Sequence, residues 1–178
     1  MHHACSVEVT VEVYIPIRVK VLSDPAHRFK VRKNAEQLNL TGVCIFHPSL
    51  NMVYVEGASK LIRNYKRLML HRIAWTEPAR ARGAEEVEID NDDDGTGPSE
   101  RTGNSTVVVG EDGAQQVVSL EGNRCDLVWE GQLRERAFNS FKPKTCPTDA
   151  AAREVLGTKI AGYWDQVKSF KPEDEELF

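Results

Sequence analysis

The sequence has no apolar run approaching the 18 or so residues that a bilayer span requires, so no membrane partner is expected. Its start, MHHACSVEVT, lacks the basic segment and apolar stretch of a secretory signal, which points to a cytosolic or nuclear protein. Cysteine is scarce and scattered: Cys5, Cys44, Cys125 and Cys146 show no C-x-x-C spacing. A zinc cluster or a disulfide framework needs closer pairing or a small secreted context. The thiols therefore read as buried or incidental, the two leading histidines support no metal site, and no cofactor is expected. H-E-x-x-H, G-x-S-x-G and Walker patterns are absent. Cys44 and His47, three apart on an expected strand, point to opposite faces and cannot pair as nucleophile and base. DNDDDG (Asp90–Gly95) opens like a calcium loop, but Arg101 stands where the twelfth position needs a bidentate carboxylate. The chain reads as a non-enzyme.

What is present is enough for one domain. The 178 residues are 40% hydrophobic and 28% charged, in the range of a globular chain with a real core. The formal net charge of −4 hides a split. Residues 1–82 hold 13 Lys/Arg against 6 Asp/Glu, and residues 83–178 hold 10 against 21. Such asymmetry suggests a polyanion-binding part beside an acidic segment.

Val9–Leu22 alternates well enough for a strand, broken or edged at Pro16. Ser23 or Asp24 caps a helix that begins at Pro25 and runs through Leu38. Thr41–Pro48 and Asn51–Gly57 form an antiparallel hairpin. Ser59 then caps an amphipathic helix that Pro78 ends. Residues 83–122 form an acidic, flexible insert with a weak hairpin around Gly110–Gly113. Arg124–Leu133 is a returning strand, FKPKTCP (Phe141–Pro147) a loop, and a last helix capped at Thr148-Asp149 runs to about Phe170, weakened at Gly157. The acidic tail 171–178 is solvated. This order is βαββαβ, the ferredoxin-like α+β arrangement, with an antiparallel sheet under two helices, an extra C-terminal helix and one domain over residues 9–170. It leaves one sheet face open, to be covered by that last helix or by bases stacked on Phe46, Tyr54 or Trp129.

KLIRNYKRLMLHRIAW (Lys60–Trp75) carries five Lys/Arg and one histidine without an acid. At helical spacing Lys60, Arg63, Asn64, Arg67 and His71 gather on one side, with Lys66 and Leu70 on the flank. Ordinary solvated faces mix signs, because like charges a turn apart repel. Arg28, Lys30, Arg32 and Lys33 repeat the theme on the first helix. A polyanion is the expected partner, nucleic acid first, although the ribonucleoprotein signature of an ordinary RRM is missing. The rival reading is a protein-interaction domain whose basic helix docks an acidic partner. VEGASK (Val55–Lys60) is a strand–turn–helix that reads either as a plain βα turn or as a phosphate site made by backbone N–H groups at the helix start.

The blocks DPAHRFKVRKNAEQLNLTGVCIFHP, NMVYVEGASKLIRNYKRLMLHRIAW, CDLVWEG and FKPKTCPTDAAAREVLG, followed by YWD, resemble the C-terminal domain of the pre-mRNA-processing factor 3 family. The resemblance spans roughly residues 15–168 apart from the insert. It implies a ferredoxin-like, non-enzymatic RNA-binding domain of the spliceosomal U4/U6 small nuclear ribonucleoprotein. Implied partners are the U4/U6 duplex, the adjoining single-stranded end of U6 and other proteins of that particle, with a nuclear location and a monomer outside the particle. It places Lys66, Arg67, His71 and Arg72 in the family's basic helix, Arg28 and Lys30 in HRFKV, and Lys142 and Lys144 in the late loop. Gly57-Ala58 stands where the family has two glycines, which weakens the phosphate-turn reading.

Overall fold

In the computed structural model the described residues are 11–78, 105–109 and 115–172. β1 (Glu12–Val19) leads to α1 (Pro25–Gln37), then to the hairpin of β2 (Thr41–Phe46) and β3 (Asn51–Ala58). β3 runs straight into α2 (Ser59–Arg67), which widens into one π-helical turn, Leu68–Arg72. β4 (Ser105–Val109) and β5 (Gln115–Ser119) make a separate antiparallel pair, the hairpin expected around Gly110–Gly113. The acidic run before it and its connecting loop lie outside the described residues. β6 (Cys125–Leu127), β7 (Gly131–Leu133), β8 (Phe141–Thr145), α3 (Asp149–Leu156) and α4 (Ala161–Ser169) complete the chain.

β6 and β7 both pair antiparallel with β1 and act as one interrupted strand. The sheet order is then fourth, first, third, second, the ferredoxin-like order, with β8 added parallel to β2. The interruption has a cause in Pro16. It sits in mid-β1 between two partners, where a missing N–H breaks the ladder. Its carbonyl accepts from Val128 N at 3.1 Å, so its nitrogen faces the same side. Between the pairs Ile17–Leu127 and Tyr14–Gly131, residues 128–130 oppose only Ile15 and Pro16. That bulge absorbs the proline.

Several expectations change. FKPKT is not a loop but the edge strand β8; its parallel register with Gly42–Phe46 is a backbone matter that exposed lysines and Pro143 do not advertise. Buried Glu56 helps to set it, accepting from Phe138 N at 2.6 Å and Thr41 Oγ1 at 3.1 Å. The last helix is broken, not weakened: Gly157 has φ of +80° and α4 restarts at Ala161. Ser59 is the first helical residue instead of the cap, and its N–H goes to Val11 O at 2.9 Å.

Each sheet face has its own core. Ile15, Ile17, Cys44, Val53 and Val55 pack under α1 and α2 against Val31, Ala35, Ile62, Tyr65 and Met69. Val43, Ile45, Met52 and Tyr54 pack under α3 and α4 against Leu156, Ile160, Trp164 and Val167. The molecule is therefore three-layered, and the face left open in the expected fold is closed by the chain itself.

The π turn that follows α2 ends at Arg72, well before the expected stop at Pro78, because the segment after it is tied down. Trp75 Nε1 donates to Met69 O at 2.8 Å, and His27 Nε2 to Ala74 O at 3.1 Å. Buried Asn123 donates to Trp75 O and Val21 O and accepts from Val21 N and Arg124 N. The α1 N-terminus joins this lock: Asp24 caps it, accepting from Ala26 N and His27 N at 2.8 and 3.1 Å.

Two stability predictions follow from these contacts. Gly42 has φ of +150°, and a Cβ there would lie 1.9 Å from Tyr54 O. Gly42→Ala should cost more than about 2 kcal/mol in denaturant unfolding, whereas Gly162→Ala, with nothing within 4 Å, should be tolerated. Burial holds the His27 imidazole neutral, its pKa below the ordinary 6.5 despite the nearby Asp24 charge. The unfolded chain then binds the extra proton, so stability is full above about 6.5 and falls as pH drops toward the lowered value. His27→Gln should flatten unfolding free energy measured between pH 7.5 and 5.5, and an unchanged slope would assign the pH dependence elsewhere.

Candidate nucleic-acid interface

α2 is anchored on one side and charged on the other. Ile62, Tyr65 and Met69 are buried against the sheet, and Tyr65 Oη donates to Val31 O of α1 at 3.0 Å. Burial raises the Tyr65 phenol well above its ordinary pKa, so it stays a neutral donor. Lys60, Arg63, Arg67, His71 and Arg72 are exposed, and none of them has an ion pair among the described residues. Lys66 differs: it is half-buried and paired with Glu130 of the bulge at 2.6 Å. Its charge is already answered, and it serves to hold α2 to the sheet edge.

The π-helical turn decides where Arg72 goes. At about 100° per residue it would fall between Leu61 and Tyr65, on the buried side. The turn bonds Ile73 N to Leu68 O at 3.1 Å, one residue further than an α-helical bond. That extra residue sets the following side chains back by about one position. Arg72 consequently joins Arg67 at a cleft between α1 and α2.

This cleft encloses about 320 Å³ and is lined by Asn34, Gln37, Leu38, Asn64, Arg67, Leu68 and Arg72. Three carboxamides and two guanidiniums meet there without a carboxylate. Lys30 and Lys33 share the Asn34–Gln37 side of α1 by helical spacing; both lack an ion pair among the described residues. Arg32 is turned away and pairs with Glu36 at 3.7 Å. Phosphate oxygens and the polar edges of a nucleotide match such a set of donors and acceptors.

The remaining candidates fall elsewhere. Arg28 spends its Nε on Leu22 O at 2.7 Å and lies over the Phe46 ring, 4.3 Å from its centroid. Phe46 is thus on the α1 side of the sheet, opposite to Tyr54, so the two do not form one stacking face. Tyr54 is 1% exposed under α4, with Tyr14 at 5.9 Å and Phe138 at 5.7 Å. No base can reach it, and burial drives its hydroxyl pKa far upward. Lys142 and Lys144 are exposed on β8 but belong to a hollow beside Glu154 and Val155, across the sheet from the cleft. Trp129, 53% exposed, stands on the bulge. The cleft itself was not legible in the sequence, since Asn34, Gln37 and Asn64 carry no charge signal and Arg72 needs the π turn.

The chain is similar to known proteins over most of its length. Residues 16–167 match the family described as small nuclear ribonucleoprotein Prp3, C-terminal domain. Protein RDM16 of Arabidopsis thaliana is 34% identical over 161 residues, covering 90% of this chain and 16% of that protein. U4/U5/U6 small nuclear ribonucleoprotein prp3 of Schizosaccharomyces pombe is 33% identical over 162 residues, covering 86% and 25%. The chain thus spans a quarter or less of these curated relatives. An acylphosphatase from Coxiella burnetii superposes with a TM-score of 0.39 at 14% identity, covering 75% of this chain and 94% of that one, too slight a likeness to add to the strand order. With a family match over nearly the whole described domain, the chain belongs to the Prp3 C-terminal domain family.

Proposed function

We propose that this domain is a non-catalytic RNA-binding module of a nuclear, spliceosomal U4/U6 small nuclear ribonucleoprotein, working beside other proteins of that particle. The observation that carries the reading is the carboxylate-free cleft between α1 and α2, where Arg67, Arg72 and three carboxamides meet, flanked by Lys60 and Arg63 on one helix and Lys30 and Lys33 on the other. Family membership and the fission-yeast relative, a U4/U5/U6 small nuclear ribonucleoprotein, support the choice of particle.

Lysine and arginine side chains neutralise phosphates and release counterions, which makes affinity salt-dependent. Lys60 to Arg67 spans about 10 Å along the helix, a length suited to successive phosphates. Asn34, Gln37 and Asn64 offer donors and acceptors to a 2′-hydroxyl or to an unpaired base edge. Selectivity then rests on a junction of duplex and single strand, where both kinds of group are presented together. Base stacking on Tyr54 is no part of the mechanism.

The test is a fluorescence titration of an RNA duplex bearing a 3′ single-stranded extension, repeated across salt concentrations. Arg67→Glu with Arg72→Glu should weaken binding at least about tenfold and reduce the log–log salt slope by roughly 1.5 to 2. Both side chains are exposed, so the unfolding midpoint should hold. Tyr54→Phe should leave affinity unchanged. Normal binding by the double variant would remove the cleft from the RNA site.

A further inference from the structure

Phe29 has no place in either core. It is 54% exposed, on the side of α1 that faces β8 instead of α2. Beside it a groove of about 370 Å³ opens between α1 and the sheet edge, a size within the roughly 300–1,000 Å³ of ligand pockets. Its floor is Val31, Cys44, Phe46, Phe141 and Pro143, and its two cations are Arg28 and Arg32, the second in a solvent-exposed pair with Glu36 that an incoming carboxylate can replace. No carboxylate, carboxamide or hydroxyl lines it.

Arg28 is already fixed there. Its Nε bond to Leu22 O and its seat on the Phe46 ring hold the guanidinium in place, while its terminal nitrogens have no partner among the described residues. The ordering entropy of a long side chain is thereby lost before any ligand arrives. Past Arg28 and Phe46 the groove continues into a hollow of about 430 Å³, which adds Lys20 and again no carboxylate.

We propose that this groove is a docking site for a protein partner: an acidic segment that inserts a large apolar side chain beside Phe29 and sets aspartates or glutamates against Arg28, Arg32 and Lys20. Charge complementarity selects an anionic occupant. The apolar floor selects a peptide over a nucleotide. A base in this slot would meet guanidinium donors alone and leave its own N–H donors unpaired on the apolar floor, at about 1–3 kcal/mol for each unsatisfied group. A leucine or phenylalanine side chain has no such groups. Strand addition to β8 is disfavoured, because Pro143 lacks an N–H and the edge carries Lys142 and Lys144; the contact is one of side chains in a groove. The site is separate from the cleft proposed for RNA, on the opposite side of α1.

The experiment selects peptides from a random display library against the whole chain, then titrates the enriched peptides and oligouridylate into the isotope-labelled protein by NMR. The expected peptides place a large apolar residue next to aspartate or glutamate, and shift the signals of Phe29, Val31, Cys44 and Phe46. Phe29→Ser and Arg32→Glu should each weaken them at least about tenfold, as loss of an anchoring contact does, while junction RNA binds Phe29→Ser normally. Failure to enrich any sequence, enrichment of basic or uncharged sequences, or equal binding to Phe29→Ser would overturn the proposal. So would a response of the groove signals to oligouridylate in place of peptide. Loss of RNA binding in the Arg67→Glu, Arg72→Glu variant with peptide binding intact would separate this site from the RNA reading.

Discussion

Both pleat faces of the central hairpin are apolar, and the rest of the molecule follows from that. Along β2, Val43 and Ile45 alternate with Cys44; along β3, Met52 and Tyr54 alternate with Val53 and Val55. A sheet so patterned has no wet side and must be buried twice. α1 and α2 supply one cover. The other is α3 and α4, whose Trp164 is fully buried and fixed by its indole N–H to Asp149 Oδ1 at 3.1 Å. Asp149 also takes Lys168 and His47, so one carboxylate at the start of α3 ties both helices to the hairpin end. Truncating a buried tryptophan of this kind costs about 3–5 kcal/mol. The cover is part of the fold's stability and not a removable flap over an RNA-binding sheet.

Once the sheet is closed, the surface left for the proposed RNA contact is that of the helices. There the decisive element is local. A regular helix through Leu68–Arg72 would turn Arg72 toward the core; the single π turn sends it to the cleft, and Trp75 takes up the Met69 carbonyl just beyond. The segment that follows is fixed by Asn123 and His27 from two distant parts of the chain. The position of a surface arginine therefore depends on buried hydrogen bonds made by neutral residues several turns away. Charge composition alone says nothing of this.

Much of the fold was legible because it is written in local rules. Asp24-Pro25 announces a capped helix start, and the found helix, Pro25–Gln37, ends one residue before the expected Leu38. The alternation in residues 41–58 announces a hairpin. The cationic face of α2 was visible at helical spacing, with Arg63, Arg67 and Lys60 where periodicity puts them. What was not legible is what backbone pairing decides. FKPKT has the composition of a loop, and only its parallel register with β2 makes it a strand. Phe46 and Tyr54 look alike as stacking aromatics, yet the pleat places them on opposite faces and α4 covers the second. Lys66 reads as one more cation until the bulge brings Glu130 to it. In each case a contact far along the chain overrides a sound local inference.

The sorting of α1 into two sides bears on why an acidic chain keeps its cations in two kinds of company. Toward α2, Lys30, Lys33, Asn34 and Gln37 combine charge with neutral polar groups, which suits a ligand that is anionic and also rich in hydrogen-bonding edges. Toward β8, Arg28 and Arg32 combine charge with phenylalanine, valine and proline, which suits a ligand that is anionic and apolar. The choice of arginine on the second side fits its role. A guanidinium is planar, weakly hydrated and able to lie on a ring, as Arg28 lies on Phe46, whereas an ammonium needs water around it. Lysine next to apolar surface would keep its charge only by reaching away from it. One helix thus presents two chemically distinct faces, separated by its own diameter of about 10 Å, and the proposed RNA contact and the proposed protein contact share no side chain of it.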